Sequence, residues 1–144
     1  MFFGSFEHTI DAKGRLFLPT SIRIQVNETL YAMKGYDGCL SVYVKDDFEK
    51  RFNLLHELPF THMDVRDVVR VESSSVVPLP IDEQGRILIP KKILEKFGIS
   101  KKVVIVGVLD HFEIWDKATW DQYLMDKEKE FEGKSEGLNI NENR

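Results

Sequence analysis

A ten-residue segment occurs almost twice in this chain, 71 positions apart, and it constrains the fold more than any other feature. The first copy is IDAKGRLFLP at residues 10–19, and the second is IDEQGRILIP at residues 81–90. Both copies read Ile-Asp-x-x-Gly-Arg, then three apolar residues, then Pro. A repeat unit of about 70 residues is too long for a solenoid, so we expect two pseudo-symmetric halves of one fold.

The correspondence between the two halves extends beyond the repeated segment. After one inserted residue, Gly35 aligns with Gly107 at an offset of 72. LSVYVKDDF at residues 40–48 then aligns with FEIWDKATW at residues 112–120. Each of these stretches is an apolar or aromatic strand followed by Lys and an aromatic residue. The repeat therefore includes most of the chain.

The same order of elements is predicted in each half. Asp-x-x-Gly is a turn signal, because Asp accepts backbone N–H groups and Gly tolerates a positive φ. We therefore expect each repeated segment to form a β-hairpin, after which Pro19 or Pro90 begins a short helix. Two further strands follow in each half. Apolar periodicity also predicts helices over residues 46–58 and 64–75, and a charged helix continues after Trp120.

These elements predict an α+β fold in which the halves interleave into one small β-barrel-like core with peripheral helices. The expected boundaries are residues 5–47 for the first half, 48–75 for a helical connector and 76–119 for the second half. Residues 120–144 are predicted to form a C-terminal helix and a disordered tail, because the segment from residue 133 onward is polar and rich in Gly and Asn.

The distribution of charge favours a polyanion partner more than the formal net charge of −4 does. Residues 110–144 carry 10 acidic and 5 basic side chains, whereas residues 81–102 carry 6 basic and 3 acidic ones. A local basic surface matters more to a polyanion than the total charge. The repeated segments therefore lie in neutral to basic surroundings, whereas the excess of acidic residues lies at the C-terminal end.

The sequence contains no signal for secretion, for a membrane span or for a metal centre. Its N-terminus lacks the basic start and apolar run of a signal peptide, and no stretch approaches the ~18 apolar residues of a membrane span. The lone Cys39 excludes an internal disulfide and a CxxC site, and the four histidines lack zinc-ligand spacing. We expect a cytoplasmic protein without a cofactor.

We do not expect an enzyme or a small-molecule substrate. Ser5, His8 and Asp11 have the residue types of a nucleophilic triad, but a strand alternates its faces and there is no nucleophile elbow. The sequence also has no Walker loop and no GxGxxG. Trp115 and Trp120 could stack on bases, but their spacing along a strand and into a helix is more typical of packing.

The Asp and Arg of each repeat allow two interpretations. In the structural one, Asp caps the turn and Arg pairs with it or with a neighbouring carboxylate. In the other, Asp11 and Asp82 order the turns so that Arg15 and Arg86 point outward. The planar guanidinium can then hold two acceptors on phosphate or guanine. Two such turns in one chain are typical of duplicated DNA-reading elements.

The repeated segments and their surroundings resemble the MraZ family. Both copies are similar to its Asp-x-x-x-Arg signature, and the flanking FFGSFEHT and RVESSSVVPLP extend the match over roughly residues 1–120. The resemblance implies tandem SpoVT-AbrB-type halves of the AbrB-like swapped-hairpin fold. It also implies a nucleoid-associated transcriptional regulator that forms homo-oligomeric rings. Such a regulator would bind direct repeats in double-stranded DNA upstream of its own division and cell-wall operon.

The resemblance assigns roles to the matching residues. Arg15 and Arg86 match the signature Arg and are the candidates for DNA contact. The candidates for ordering the turns are the signature Asp residues and the turn glycines: Asp11, Gly14, Asp82 and Gly85. Further candidates for contact with DNA phosphates are the basic residues in the first turn and after the return strands: Lys13, Arg23, Lys91 and Lys92. For the last three, a solvated helix face is the alternative. Gln84 replaces Lys13 in the second turn.

An AbrB-type antitoxin-like interaction module is the alternative function. It predicts a C-terminal tail that folds on a toxin. The acidic tail of this chain offers Phe131, Leu138 and Ile140 as apolar anchors.

Overall fold

A computed structural model describes residues 1–138 as eight strands and six helices. The strands are β1 (Ser5–Thr9), β2 (Arg15–Phe17), β3 (Leu30–Lys34), β4 (Leu40–Tyr43), β5 (Val77–Leu79), β6 (Arg86–Leu88), β7 (Lys102–Gly107) and β8 (Phe112–Asp116). The helices are α1 (Thr20–Arg23), α2 (Lys45–His56), α3 (Met63–Ser75), α4 (Lys91–Lys96), α5 (Lys117–Glu128) and α6 (Phe131–Gly137). The α+β class predicted from the sequence is confirmed.

The strand order has the pseudo-twofold symmetry that the repeat predicts. Six strands form an antiparallel sheet in the order β1-β7-β8-β4-β3-β5, and β2 pairs with β6 in a separate two-stranded ribbon. Strands β5 to β8 repeat β1 to β4 in sequence. Exchanging the two halves therefore gives the same sheet read in the opposite direction. The pseudo-twofold axis passes between β4 and β8 and between β2 and β6.

Two details of the predicted architecture differ from the structure. The six-stranded sheet is open within residues 1–138, so the barrel-like core is not confirmed. The repeated segments also do not form simple hairpins. The backbone N–H of Asp11 donates to Arg15 O at 3.0 Å, and that of Asp82 donates to Arg86 O at 2.9 Å, so each turn is closed locally. However, the strand that follows each turn pairs with its counterpart in the other half.

Pairing between the halves buries apolar residues that two separate hairpins would leave exposed. The register places Leu16 opposite Ile87 at the centre of the ribbon, and both side chains are fully buried. A lone hairpin is at best marginally stable in water, and these strands have only three residues each. The inner face of the ribbon belongs to one core cluster that also includes Ile22, Leu30, Val42, Ile105, Phe112 and Ile114.

The helices cover the other parts of the sheet. Helices α2 and α3 contact β3, and α5 contacts β7 and β8 in the other half of the sheet. The sequence predicted α2, α3 and α5, but it predicted disorder from residue 133 onward, where most of α6 (Phe131–Gly137) forms. The rest of the predicted disordered tail, including Ile140, lies outside the described residues. Within residues 1–138, none of the helices has the length and apolar character needed to span a bilayer.

Candidate nucleic-acid interface

The carboxylate of Asp11 holds the first turn. Asp11 Oδ1 accepts hydrogen bonds from the backbone N–H groups of Lys13 and Arg15, both at 2.9 Å, and Oδ2 pairs with Arg15 Nε at 2.6 Å. Gly14 has a φ of +89°, and a Cβ at this position would lie 2.5 Å from Ile89 O. The backbone N–H of Arg15 is the largest cause that holds the pKa of Asp11 below its usual value. The carboxylate is therefore ionised at neutral pH.

The second turn repeats this geometry around Asp82. Its Oδ1 accepts hydrogen bonds from the backbone N–H groups of Gln84 and Arg86 at 2.9 Å, and its Oδ2 pairs with Arg86 Nε at 2.8 Å. The backbone N–H of Arg86 is again the largest cause of a lowered pKa, here of Asp82. Gly85 has a φ of +79°, and a Cβ at Gly85 would clash with the guanidinium of Arg23. The positive φ therefore favours glycine, and a larger residue would also displace the Arg23 side chain.

Each Asp–Arg pair occupies only one nitrogen of the guanidinium group. In the described part of the chain, the hydrogen bonds of the Arg15 and Arg86 side chains come from Nε alone. Their side chains are 35% and 19% exposed, respectively. The two interpretations of the sequence are therefore compatible, because the same Arg can order the turn through Nε and keep Nη1 and Nη2 for another acceptor.

The two arginines of one chain share one face of the β2–β6 ribbon. The register sets Arg15 opposite Leu88 and Phe17 opposite Arg86. Alternate residues of a strand share a face, so these four side chains lie on the face opposite the core. Diagonal neighbours in an antiparallel pair are ~7–8 Å apart, which is the separation expected between the two arginine positions. Arg86 Cζ lies 5.5 Å from the centre of the Phe17 ring.

Sequence reasoning did not identify the two apolar residues on this face. Phe17 is 52% exposed and Leu88 is 54% exposed, although both follow the signature Arg in a short strand. The available signal was the alternation in RLF and RIL, in which the first and third residues share a face. The outer face of the ribbon thus combines two arginines with two exposed apolar side chains.

Most of the predicted phosphate-contacting lysines lie near the first turn. Lys13 and Lys91 line an open cavity of about 540 Å³ beside this turn, together with Lys101, which was not a candidate. The signal for Lys101 was the basic pair at residues 101–102. Lys92 is exposed on α4 but is not among the residues that line this cavity. Three lysines therefore line the cavity at this end of the ribbon, together with the acidic residues Asp11 and Glu95.

Arg23 lies at the other end of the ribbon and supports the second turn. Its Nη2 donates to Glu83 O at 3.2 Å, and its guanidinium fills the space against Gly85. Leu94 occupies the equivalent position in the second half and lines the cavity beside the first turn. The two turns thus have the same backbone geometry but different surroundings.

The other chemical candidates do not form a second site. Trp115 is 3% exposed, and its ring lies 5.1 Å from that of Trp120 and 4.9 Å from that of Tyr123, so these aromatic residues pack against one another. Cys39 is buried. Within residues 1–138, no three His, Cys, Asp or Glu side chains are placed to hold a metal ion together.

The fold and the site define a class of protein: a duplicated α+β chain that presents two Asp-ordered arginines on one antiparallel ribbon. A family profile described as "MraZ protein, putative antitoxin-like" matches residues 1–71 and 77–139. The chain therefore belongs to the MraZ family, which confirms the resemblance inferred from the repeated segments.

Full-length relatives support this assignment. A protein of Acetivibrio thermocellus named Transcriptional regulator MraZ is 38% identical over 138 residues, which are 96% of each chain. Proteins of the same name from Ligilactobacillus salivarius and Desulforamulus reducens are 38% and 39% identical. These matches cover 96% of this chain and 96% and 97% of the two relatives.

Proposed function

We propose that this protein is a sequence-specific DNA-binding transcriptional regulator. It binds repeated boxes upstream of its own division and cell-wall operon through its two Asp-x-x-Gly-Arg turns. The observation that carries the proposal is the placement of Arg15 and Arg86 on one outer face of the β2–β6 ribbon. The major groove of B-DNA, ~12 Å wide, admits a two-stranded ribbon. The names of the relatives agree with a role in transcriptional regulation.

The Asp–Arg pairs prepare the arginines for this role. With Nε held by Asp, each guanidinium keeps Nη1 and Nη2 to donate to O6 and N7 of a guanine, and it loses less conformational freedom on binding. A bidentate Arg–guanine contact discriminates against the wrong base by about 1–3 kcal/mol. Positions ~7–8 Å apart span about two base-pair steps of ~3.4 Å each. One chain would therefore read one short box.

Lysines in the first turn and on α4 provide the sequence-independent part of the binding. Lys13, Lys91 and Lys92 contact phosphates in this proposal, and each contact releases counterions and weakens with added salt. Arg23 already donates a hydrogen bond from Nη2 to Glu83 O in the second turn, and this contact limits its contribution to phosphate binding. The end of the ribbon beside the first turn would therefore bind the DNA backbone more strongly than the end beside the second turn.

Self-association completes the proposed regulator. A single chain carries a net charge of −4, so several ribbons acting together on direct repeats would overcome weak binding by each one. We propose a closed homo-oligomeric ring, located at the nucleoid in the cytoplasm, built from chains of the AbrB-like swapped-hairpin type. The pairing of β2 with β6 across the halves supports this type of fold.

A gel-shift assay on the DNA upstream of the gene tests the function. Unrelated DNA serves as competitor, and the double variant Arg15→Ala/Arg86→Ala is compared with the matched control Lys45→Ala/Lys50→Ala, which removes the same charge from exposed positions on α2. We expect the wild type and the control to retain the upstream fragment and the folded arginine variant to lose it. Equal binding to unrelated DNA, or full binding by the arginine variant, would contradict the proposal.

An antitoxin-like interaction module is the second candidate. The description of the family includes the term antitoxin-like. Phe131 in α6 and Leu138 directly after it are each 68% exposed. The variant Phe131→Ala/Leu138→Ala separates the two functions. If the module is correct, this variant loses a co-purifying partner and keeps its binding to the upstream DNA.

A further inference from the structure

Two large apolar side chains occupy the outer face of the ribbon, where a solvated strand normally carries polar residues. Phe17 and Leu88 are more than half exposed, while their neighbours Leu16 and Ile87 are fully buried. Apolar surface that stays in water has a free-energy cost relative to burial. A ligand that covers both side chains would remove this cost.

Each apolar residue is paired with an arginine of the other strand. Leu88 lies opposite Arg15, and Phe17 lies opposite Arg86, whose guanidinium stacks over the ring. In the major groove, the thymine C5-methyl is the apolar group that a base presents for direct contact. A ribbon that places an arginine on a guanine therefore brings an apolar side chain to a neighbouring base pair.

The apolar pair also breaks the symmetry of the ribbon. Phe17 and Leu88 are equivalent positions of the two halves, at the offset of 71 that relates the repeated segments. If they were identical, the outer face of the β2–β6 ribbon would present the same pair of groups, one arginine and one apolar residue, in both directions. A flat aromatic ring and a branched aliphatic chain cannot contact the same methyl group equally well. Lys13 and Gln84 add a second difference at equivalent positions.

We infer that Phe17 and Leu88 determine specificity by contacting thymine methyl groups beside the guanines bound by Arg15 and Arg86. Their difference sets the direction in which the chain lies on a box. The inference rests on the proposed function. It also explains why a chain with a pseudo-twofold ribbon would suit direct repeats, in which every box has the same direction.

Single thymine-to-uracil substitutions along one box test the methyl contacts, since they remove only the C5-methyl. Affinities of the wild type are measured by fluorescence anisotropy for each substituted duplex. We expect a loss of about fourfold per contacted methyl group, at positions distributed asymmetrically over the box. Phe17→Ala/Leu88→Ala should bind thymine and uracil duplexes equally. The matched control Leu54→Ala/Val71→Ala, which changes exposed residues on α2 and α3, should keep the difference.

The exchange variant Phe17→Leu/Leu88→Phe tests the direction without changing composition or charge. We expect its uracil-sensitive positions to move to the other end of the box. Unchanged positions in this variant would overturn the assignment of direction. If no uracil substitution weakens the wild type, the methyl contacts themselves are wrong.

Two further outcomes separate this inference from the function on which it rests. If the wild type does not bind the upstream DNA at all, the proposed function fails. If DNA binding depends on the arginines but not on any methyl group, and Phe17→Ala/Leu88→Ala changes the oligomeric state in size-exclusion chromatography, the apolar pair is a contact between copies. That result would overturn only the present inference. The uracil series on the wild type remains decisive even if the alanine variant fails to fold.

Discussion

Asp11 and Asp82 each accept three hydrogen bonds, two from the backbone and one from an arginine side chain. The backbone bonds fix the turn, and the side-chain bond fixes the direction of the arginine. In the proposed function, a residue that looks purely structural in sequence would also orient the arginine that binds DNA. Substitutions near these turns can therefore separate the effect of charge on DNA binding from the effect of arginine geometry.

Replacing Asp11 with Asn should weaken specific DNA binding by about tenfold, because the charge-assisted bond to Arg15 Nε is lost. The loss would occur although the variant is one unit less negative, a change that by itself favours DNA. Anisotropy titrations at several salt concentrations measure both effects. The matched control is Glu83→Gln, which removes an exposed acid near the second turn and should bind slightly more tightly. Equal gains in both variants would show that Asp11 has no positioning role.

Gly14→Ala should lower the free energy of unfolding by about 3 kcal/mol, because a positive φ and a blocked Cβ position act together. Gly98→Ala is the control, since Gly98 has a φ of +62° and nothing within 4 Å of its Cβ position. This control should cost only about 1 kcal/mol. Urea unfolding of both variants measures the difference. Similar costs would show that the contact with Ile89 O relaxes easily.

At the level of elements, the β2–β6 ribbon joins the halves through residues that neither half could bury alone. Gly85 O accepts a hydrogen bond from the backbone N–H of Leu18 at 3.0 Å, and Gly14 O accepts one from Ile89 at 2.9 Å. Each turn is thus also held by the return strand of the other half. A substitution that disrupts one strand of the ribbon should therefore destabilise both turns.

Leu16→Ala should destabilise the whole protein by about 2–5 kcal/mol, as expected for a large-to-small change at a fully buried position. Unfolding in urea can be followed by circular dichroism and by the fluorescence of Trp115 and Trp120, which lie outside the apolar core cluster that contains Leu16. We expect both signals to shift together. A shift in circular dichroism without a shift in fluorescence would mean that the ribbon unfolds locally.

The sequence predicted the elements whose signals are local. Strands β3, β4, β7 and β8 and helices α2 and α3 follow from apolar patterns and glycine turns. The partner of β2 was predicted incorrectly. The apolar pattern around Leu16 is equally compatible with a hairpin and with pairing to β6, and only the burial of Leu16 against the other half selects β6. Most of helix α6 was missed because the composition from residue 133 onward indicated disorder, while local ion pairs such as Lys134 with Glu130 at 2.9 Å favour a helix.

The candidate site was also predicted only in part. The repeated motif identified Arg15 and Arg86 and their turns, because Asp-x-x-Gly-Arg specifies a local geometry. Phe17 and Leu88 were missed, because an apolar residue in a three-residue strand can face either the core or the solvent. The face became known only from the register of β2 with β6.

For the whole molecule, the junction of the two halves in the main sheet contains a titratable residue. His111 stacks on Tyr43 at 4.6 Å between ring centres, and its Nδ1 lies 2.7 Å from Asp110 Oδ1. Burial alone would lower the pKa of His111, but hydrogen bonds with Glu113 and Asp110 outweigh burial and raise the pKa above its usual value. Burial raises the pKa of Tyr43 to about 12, so its phenol stays neutral.

The contribution of His111 to the stability of the fold should therefore decrease as the pH rises from 6 to 8. A histidine with a raised pKa stabilises the folded state fully below its unfolded pKa of ~6.5, and this contribution is lost as the pH passes the folded pKa. Urea midpoints at several pH values should fall more steeply for the wild type than for His111→Gln. The control His62→Gln changes an exposed histidine and should behave like the wild type. Parallel slopes for all three proteins would exclude His111 as the cause.

The palindromic strand order has a consequence for how such a protein can evolve. Two identical half-length chains could satisfy the same order, since the strands of each half pair with those of the other. In such a homodimer, every mutation would appear at both ends of the ribbon. Joining the halves in one gene removes the dependence of their pairing on concentration and lets each end mutate alone. The two ends of the ribbon in the fused chain can therefore diverge, which gives the chain a direction along a linear polymer such as DNA. A dimer of identical halves cannot gain such a direction.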